Sequence, residues 1–235
     1  MFPPRLESDS DAENFAVFSD CSERLFNIAL TKLDLALQAT PDNAYISNEY
    51  ADILINRLNI VKREQTTTPY IEKAIELYRS AHNAKKLMEL GEELYKNTFL
   101  LPATKSLELC TTCCKAAHEL QPGDTKSLYL CSRALVKRFR LTFDEQCMEE
   151  AGVNLAQPGV LPPEQQWLSS IPSPRGKAFA LELCEWGTKN GTLCINQCSK
   201  PEITMKEVFW ALANHTNDPE CQIKGFDLSN CGMLD

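Results

Sequence analysis

Apolar residues recur every three or four positions along most of the chain as far as residue 140, and this spacing predicts amphipathic helices. Two such runs flank a turn at Pro41, with Ala29, Leu33 and Ala36 before the turn and Tyr50, Ala51, Leu54 and Leu58 after it. The alanines let two helices approach closely, while the larger side chains fill the space between them. Residues 23–59 are therefore predicted to form an antiparallel helical hairpin.

The same arrangement returns further along the chain, where Pro122 corresponds to Pro41. The equivalent apolar or small residues are Cys110, Cys114 and Ala117 before the turn and Cys131, Ser132 and Leu135 after it. A third hairpin lies between these two, with Ala74, Tyr78 and Ala81 on its first helix and Leu87, Leu90, Gly91 and Leu94 on its second. Repeated hairpins predict a helical solenoid.

Three stretches, "EYADIL", "ELGEEL" and "ALTKLDLALQATPDN", place small residues beside leucine or an aromatic residue and put a proline at the turn. This pattern resembles the tetratricopeptide repeat, and the resemblance covers roughly residues 22–140. The family implies a right-handed stack of helical hairpins whose concave face holds a peptide or a protein segment. The loop "VKREQTTTP" makes at least one repeat longer than the usual period.

Asn48 and Asp52 become candidate partner-binding residues through this resemblance. One version of the repeat grips the acidic C-terminal tails of heat-shock chaperones, and it has a Lys-x-x-x-Asn pair where this chain has Asn48 and Asp52. That version also has a Lys-x-x-x-Arg pair on a later helix. In this chain the residue four places after Lys126 is Leu130 rather than Arg. The departures argue against binding of a chaperone tail.

Arg133, Lys137 and Arg140 are the other candidate partner-binding residues. Spacings of four and three residues place these three cations on one helical face. Such a strip could meet an acidic peptide or the acidic N-terminal tail of the protein itself. The alternative is a solvated helix end, where cations interact favourably with the helix dipole.

The character of the sequence changes after residue 150. "GVNLAQPGVLPPEQQ" and "SSIPSPRGK" are rich in Pro, Gly and Ser, which break helices and mark loops. We therefore predict a boundary near residue 155. The predicted organisation is an acidic flexible tail (1–13), a helical-repeat domain (14–152), a Pro/Gly/Ser-rich linker (153–176) and a C-terminal segment (177–235).

The C-terminal segment is predicted to form a helix followed by a strand, a second helix and a second strand. Leu193, Ile195 and Cys198 recur as Phe226, Leu228 and Cys231 at a constant offset of 33 residues. The second copy, with Ile223 and Met233, fills the pattern L-x-x-L-x-L-x-x-N/C-x-L and resembles a leucine-rich repeat of the ribonuclease-inhibitor type. A single unit cannot bury its own faces, so it must pack on the helical body, join another copy or belong to a longer chain.

Composition narrows the class of partner. The formal net charge of −8 disfavours nucleic acid and membrane surfaces, because both require clustered Lys and Arg. No apolar run approaches the ~18 residues of a membrane helix, and the N-terminal sequence lacks the apolar core of a signal peptide. We therefore expect an intracellular protein, cytoplasmic with the nucleus as the alternative, that binds a protein or peptide and uses no cofactor.

Eleven cysteines in such a protein predict reduced thiols that serve as small apolar core residues. The C-x-x-C at Cys110 and Cys113 lies within a predicted helix, where packing explains it better than redox chemistry. A zinc site is the sharper alternative, with Cys194, Cys198, His215 and Cys221 as the ligands. A thiol- or zinc-dependent enzyme and an RNA-binding helical repeat are the competing classes of function.

Together these patterns predict a mainly α protein: an antiparallel helical-hairpin solenoid similar to tetratricopeptide repeats, followed by a small α/β segment similar to a leucine-rich repeat. The predicted function is that of a non-enzymatic scaffold or adaptor that binds a peptide or protein segment on its helical-repeat surface.

Overall fold

The computed structural model describes the backbone of residues 9–61, 64–189, 192–194 and 225–227, and the side chains of residues 22–58, 67–163 and 165–182. The helices in these ranges are α1 (Asp9–Ala39), α2 (Ala44–Val61), α3 (Glu64–Ser80), α4 (Ala84–Lys96), α5 (Ala103–Leu120), α6 (Thr125–Thr142), α7 (Glu145–Leu155) and α8 (Pro174–Gly187). A 3-10 helix spans Pro163–Ser170, and the strands are β1 (Thr188–Lys189), β2 (Thr192–Cys194) and β3 (Gly225–Asp227).

Short polar side chains fix where several helices begin. Asn43, Asn83, Asp124 and Asp144 directly precede α2, α4, α6 and α7, and each side chain accepts a hydrogen bond from a backbone amide of the first turn. These bonds satisfy amides that have no partner within the helix. The turn before each of these helices is therefore encoded locally.

The helices pack in chain order, each from α1 to α7 against the next one along the chain, and α8 returns onto α6 and α7. Contacts between α3 and α5 and between α4 and α6 add a second layer of neighbours. Consecutive packing of this kind is that of a helical repeat, and the prediction of a mainly α fold is confirmed.

The repeat is visible in which residues are buried. Four core positions of α2 recur in α4 after 40 residues and in α6 after a further 41: Ser47, Tyr50, Ala51 and Leu54, then Leu87, Leu90, Gly91 and Leu94, then Leu128, Cys131, Ser132 and Leu135. All of these residues are buried. The spacing exceeds the usual period of a tetratricopeptide repeat, which is roughly 34 residues. The stretch "VKREQTTTP", which we predicted as a loop, is largely helical instead: Val61 ends α2, and residues 64–69 form the start of α3.

The segment that we predicted as a linker contributes to the core. Val160, Leu161, Trp167, Leu168 and Ile171 are buried between the helices, and α8 packs on α7. Pro and Gly end helices here as the composition indicated, but the apolar residues between them fold back onto the helical body. The first helix likewise begins at Asp9, inside the range that we assigned to the N-terminal tail.

The three strands form one sheet in the order β1-β2-β3. The pair β1–β2 is antiparallel and was not predicted, whereas β2 and β3 are parallel, with Leu193 opposite Phe226. These two residues are separated by the constant offset seen in the sequence. The remaining residues of the leucine-rich pattern lie outside the described residues: Ile195, Cys198, Ile223, Leu228, Cys231 and Met233.

Candidate functional site

Equivalent positions of α2, α4 and α6 form one surface, which we call the α2–α4–α6 face. The repeat offsets of 40 and 41 residues place three sets of side chains in register on it: Asn48, Asp52 and Asn56, then Met88, Glu92 and Lys96, then Tyr129, Arg133 and Lys137. Each of these side chains is exposed or half-buried. Four of the five candidate residues from the sequence therefore lie on the same face.

An acidic groove of about 400 Å³ lies between α2 and α4 on this face. Its lining combines apolar and charged side chains: Asp52, Ile55, Asn56, Tyr78, Lys86, Glu89, Leu90, Glu92 and Glu93. Four of these residues are carboxylates and one is a lysine, so the groove carries an excess of negative charge. A ligand of positive charge is favoured there.

Asp52 lines the groove and links three helices. Its carboxylate accepts a hydrogen bond of 2.6 Å from the hydroxyl of Tyr78 and lies 3.1 Å from Nζ of Lys86. Burial, followed by this hydrogen bond, raises the pKa of Tyr78 well above its usual range. The hydrogen bond with Asp52 also raises the pKa of Lys86. Asp52 is therefore held by internal partners, and Glu89 lies within 3.8 Å of the ammonium groups of Lys85 and Lys86. The charge open to a ligand is mainly that of Glu92 and Glu93.

Asn48 has a structural partner as well. Its Oδ1 accepts a hydrogen bond of 2.8 Å from Nδ2 of Asn83, the residue that caps α4. The bond joins α2 to the start of α4.

The α4–α6 part of the face is basic and aromatic. Cζ of Arg133 lies 4.8 Å from the ring centroid of Tyr95, and Nζ of Lys137 lies 4.7 Å from the same centroid. Nζ of Lys137 also donates a hydrogen bond of 3.3 Å to the carbonyl of Tyr95. Such cation–aromatic contacts contribute roughly 0.5–1 kcal/mol each at exposed sites. The two cations thus hold α6 against α4 while lying at the surface.

Arg140, the fifth candidate, is turned away from this cluster towards α8. Its Nε lies 3.8 Å from a carboxylate oxygen of Glu182, whose side chain is only 4% exposed. Burial raises the pKa of Glu182, and the charge of Arg140 opposes that rise. Arg140 therefore belongs to the contact between α6 and α8 rather than to the α2–α4–α6 face.

A second groove of about 470 Å³ separates α3 from α5. Ile75, Leu109 and Ala116 are its buried residues. Its two cationic residues are paired across helices: Arg79 with Glu119, and Lys115 with Glu150 of α7 at 2.6 Å. This groove uses none of the repeat positions that line the α2–α4–α6 face.

The described cysteines are buried and unsuited to thiolate chemistry. Cys110, Cys113, Cys114, Cys131 and Cys147 are free thiols in the core. Burial raises the pKa of Cys113, and it raises the pKa of Cys131 to about 12 and that of Cys147 to about 11. The pKa of Cys114 is raised by a hydrogen bond with Cys110 and by burial. Reactive cysteines have the opposite property, a lowered pKa and exposure.

Within the part of the chain that the structure describes, no three His, Cys, Asp or Glu side chains are grouped as metal ligands would be. Of the residues in the alternative zinc site, Cys198, His215 and Cys221 lie outside the described residues, as does the side chain of Cys194. Among the described helices, none has the length and apolar composition needed to cross a membrane.

Sequence reasoning missed Glu89, Glu92, Glu93 and Tyr95. The repeat could have identified Glu92, because it is the residue 40 places after Asp52 and 41 places before Arg133, the equivalent positions of α2 and α6. No protein-family model matches the chain, and no curated protein and no solved structure matches it either. The function must therefore be argued from the α2–α4–α6 face.

Proposed function

We propose that the chain is a non-enzymatic helical-repeat protein, similar to tetratricopeptide-repeat proteins, that binds a protein segment on its α2–α4–α6 face. One observation carries the proposal: the acidic groove coincides with the equivalent repeat positions Asp52 and Glu92. In a solenoid such positions line one continuous surface, and surfaces of this kind bind extended segments. A scaffold or adaptor requires such a surface and no catalytic group.

The chemistry of the face specifies the segment. Glu89, Glu92 and Glu93 lie beside the apolar side chains of Ile55 and Leu90 in the groove, which suits a Lys or Arg next to a small apolar residue. Net charge of −8 over the whole chain favours encounter with a basic segment. We place this binding inside the cell, in the cytoplasm or the nucleus.

Buried thiols support a binding role over thiol catalysis. The raised pKa values of Cys113, Cys114 and Cys131 keep these groups protonated at neutral pH. A stoichiometric metal assay on the purified full chain separates the scaffold from a zinc protein, and one bound zinc per chain would contradict the scaffold proposal.

The C-terminal segment is, in our proposal, a unit similar to a leucine-rich repeat. Parallel pairing of β2 and β3, with Leu193 opposite Phe226, supports it, because parallel strands need a crossover connection and the intervening sequence has helical spacing at Val208, Ala211 and Leu212. Hydrogen exchange should show slowed amides in residues 192–194 and 225–227. Fast exchange in both would remove the assignment.

Selection from a random peptide library on the purified full chain tests the binding function. We expect enrichment of peptides that carry Lys or Arg next to an apolar residue. Glu92→Lys reverses a charge in the groove without removing a core contact, so it should weaken the selected peptides at least about tenfold, or ~1.4 kcal/mol. Fluorescence anisotropy with labelled peptides measures the dissociation constant.

Glu76→Lys is the matched control, because Glu76 is also an exposed helical glutamate but lines the α3–α5 groove instead. Its peptide affinity should stay within about twofold of the unchanged protein, a free-energy difference of ~0.4 kcal/mol. Equal losses of peptide affinity in the two variants would show that peptides bind elsewhere or respond only to the net charge of the protein. No enrichment of any peptide would contradict the proposed function itself.

A further inference from the structure

The helix α1 has apolar side chains on two opposite sides. Its inward side packs on the core through Phe26, Leu30, Leu33 and Leu37. Its outward side carries Leu25, Ile28 and Leu35, which are 68%, 56% and 53% exposed. Among the side chains that the structure describes, those of no other helix include three large exposed aliphatic residues. The three residues form what we call the outer stripe.

The outer stripe belongs to a heptad pattern in the sequence. Alternating steps of three and four residues give Phe18, Cys21, Leu25, Ile28, Lys32, Leu35 and Ala39, of which six are apolar. A stripe that repeats every ~3.5 residues on average is the seam of a two-stranded coiled coil. The length of α1 agrees with this, since it has 31 residues against 18 in α2 and in α6. The pattern therefore indicates a partner that is itself a long helix.

The charges along α1 favour a second copy of the same helix in antiparallel orientation. Residues 9–23 contain five acidic residues and no basic residue, whereas residues 24–39 contain Arg24 and Lys32 against Asp34 alone. An antiparallel pair sets the acidic half of each helix beside the half with Arg24 and Lys32 of the other. It also opposes the two helix dipoles, while a parallel pair would set acidic halves side by side.

We propose that the chain forms a homodimer through an antiparallel coiled coil of α1 helices, with Leu25 of one copy opposite Ile28 of the other. In this register residues 14–39 of the two helices overlap, and Lys32 lies alongside Asp20 and Glu23 of the second copy. The dimer is independent of the peptide-binding function, because the outer stripe shares no residue with the α2–α4–α6 face.

Molecular mass in solution tests the dimer. We expect the unchanged full chain, at tens of micromolar, to show twice the chain mass of 26.5 kDa in sedimentation equilibrium. The double variant Leu25→Glu/Ile28→Glu should sediment at the chain mass with an unchanged far-ultraviolet circular dichroism spectrum, because both side chains are exposed within one copy. The control Asn27→Glu/Gln38→Glu adds the same two charges to exposed positions of α1 off the stripe and should remain dimeric.

A chain mass of 26.5 kDa for the unchanged protein, measured at the highest concentration that stays in solution, would overturn the dimer, because mass action favours association there. It would mean that another part of the chain or a different protein covers the stripe. Loss of the dimer in the control variant would overturn the assignment to the outer stripe.

The orientation of the two helices needs a separate measurement. Spin labels attached through azidophenylalanine at Gln38, which leaves the native cysteines unlabelled, should lie about 35 Å apart along antiparallel helices. A separation below about 20 Å would overturn the antiparallel arrangement, because a parallel pair brings the two labels side by side.

Discussion

Gly152 lies where α7 meets the start of α8, at a separation that leaves no room for a side chain. A Cβ atom at this position would overlap the carbonyl group of Pro174. Because the obstructing atoms belong to the backbone, the two helices would have to separate. We expect Gly152→Ala to lower the free energy of unfolding by roughly 1–3 kcal/mol, measured by urea denaturation.

Gly91→Ala is the control for this substitution. A Cβ atom there would lie 3.4 Å from Cβ of Cys113, and the equivalent position of α2 is already Ala51. Alanine is also the better helix former, so Gly91→Ala should be neutral or stabilise by up to about 1 kcal/mol. Equal effects of the two substitutions would contradict the close approach at Pro174.

The hydrogen bond between Tyr78 and Asp52 gives a second prediction, this one dependent on pH. Burial and the bond to Asp52 raise the pKa of Tyr78 above its usual value of about 10. The folded protein therefore holds the phenol proton more tightly than the unfolded chain, so the stabilisation is complete below pH ~10 and declines as the pH rises further. Tyr78→Phe should cost about 1–3 kcal/mol at pH 7, and the difference from the unchanged protein should shrink above pH ~10.

Urea denaturation of both proteins between pH 7 and pH 11 measures this difference. Tyr45→Phe serves as the control, since Tyr45 is exposed and its substitution should change little at any pH. Some decline at high pH should persist in Tyr78→Phe, because burial also raises the pKa of Tyr50 to about 12. A stability difference that stays constant through this range would contradict the role given to the Tyr78 proton.

At the scale of elements, the helices could be predicted closely where a cap, a turn and the apolar spacing agree. The bounds of α6, Thr125–Thr142, are those of α2, Ala44–Val61, shifted by the same offset that separates Pro122 from Pro41. The strand β1 and the outward side of α1 were missed. A strand of only two residues, such as β1, forms because another strand lies beside it, and the local sequence does not specify that neighbour. For α1, apolar spacing alone does not say which of its two apolar sides packs on the core.

Leu54 tests whether the repeated hairpins form the core of the protein. Its side chain is fully buried between helices, at the position repeated by Leu94 and Leu135. Leu54→Asp places a charge there without a partner, which should cost several kcal/mol and unfold the repeat region. Leu141→Asp is the control, because Leu141 also lies on a helix but is exposed. Circular dichroism during thermal melting compares the two, and an unchanged melting temperature for Leu54→Asp would contradict the repeat assignment.

At the scale of the whole molecule, sequence reasoning selected five candidate residues, four of which lie on one face of the structure, but it did not show what surrounds them. The groove arises from contacts between α2 and α4, such as that of Lys86 with Asp52, and no local spacing encodes contacts between separate helices. Arg140 illustrates the same limit. Its spacing from Lys137 suggested one basic strip, yet the buried carboxylate of Glu182 on a distant helix determines where its side chain lies.

The stretch from residue 156 to residue 173 decides whether the chain folds as one unit or as two. Composition predicted a linker, which proteases would cut in the native state. In the structure, Trp167, Leu168 and Ile171 are buried, and the ammonium of Lys177 donates hydrogen bonds to the carbonyls of Ser169 and Ile171. Cleavage here by chymotrypsin would first require this segment to detach from the core.

We therefore expect chymotrypsin under native conditions to spare Trp167 and Leu168 while cutting at the exposed Phe143, which serves as the internal control. Trp167→Ala should remove the apolar contacts that hold the segment, costing about 3–5 kcal/mol, and should open residues 156–173 to cleavage by raising the population of the detached state. Mass spectrometry of the fragments locates each cut. Rapid cleavage at Leu168 in the unchanged protein would show that the segment joins two independent units, because a peptide bond packed into a shared core cannot enter a protease active site.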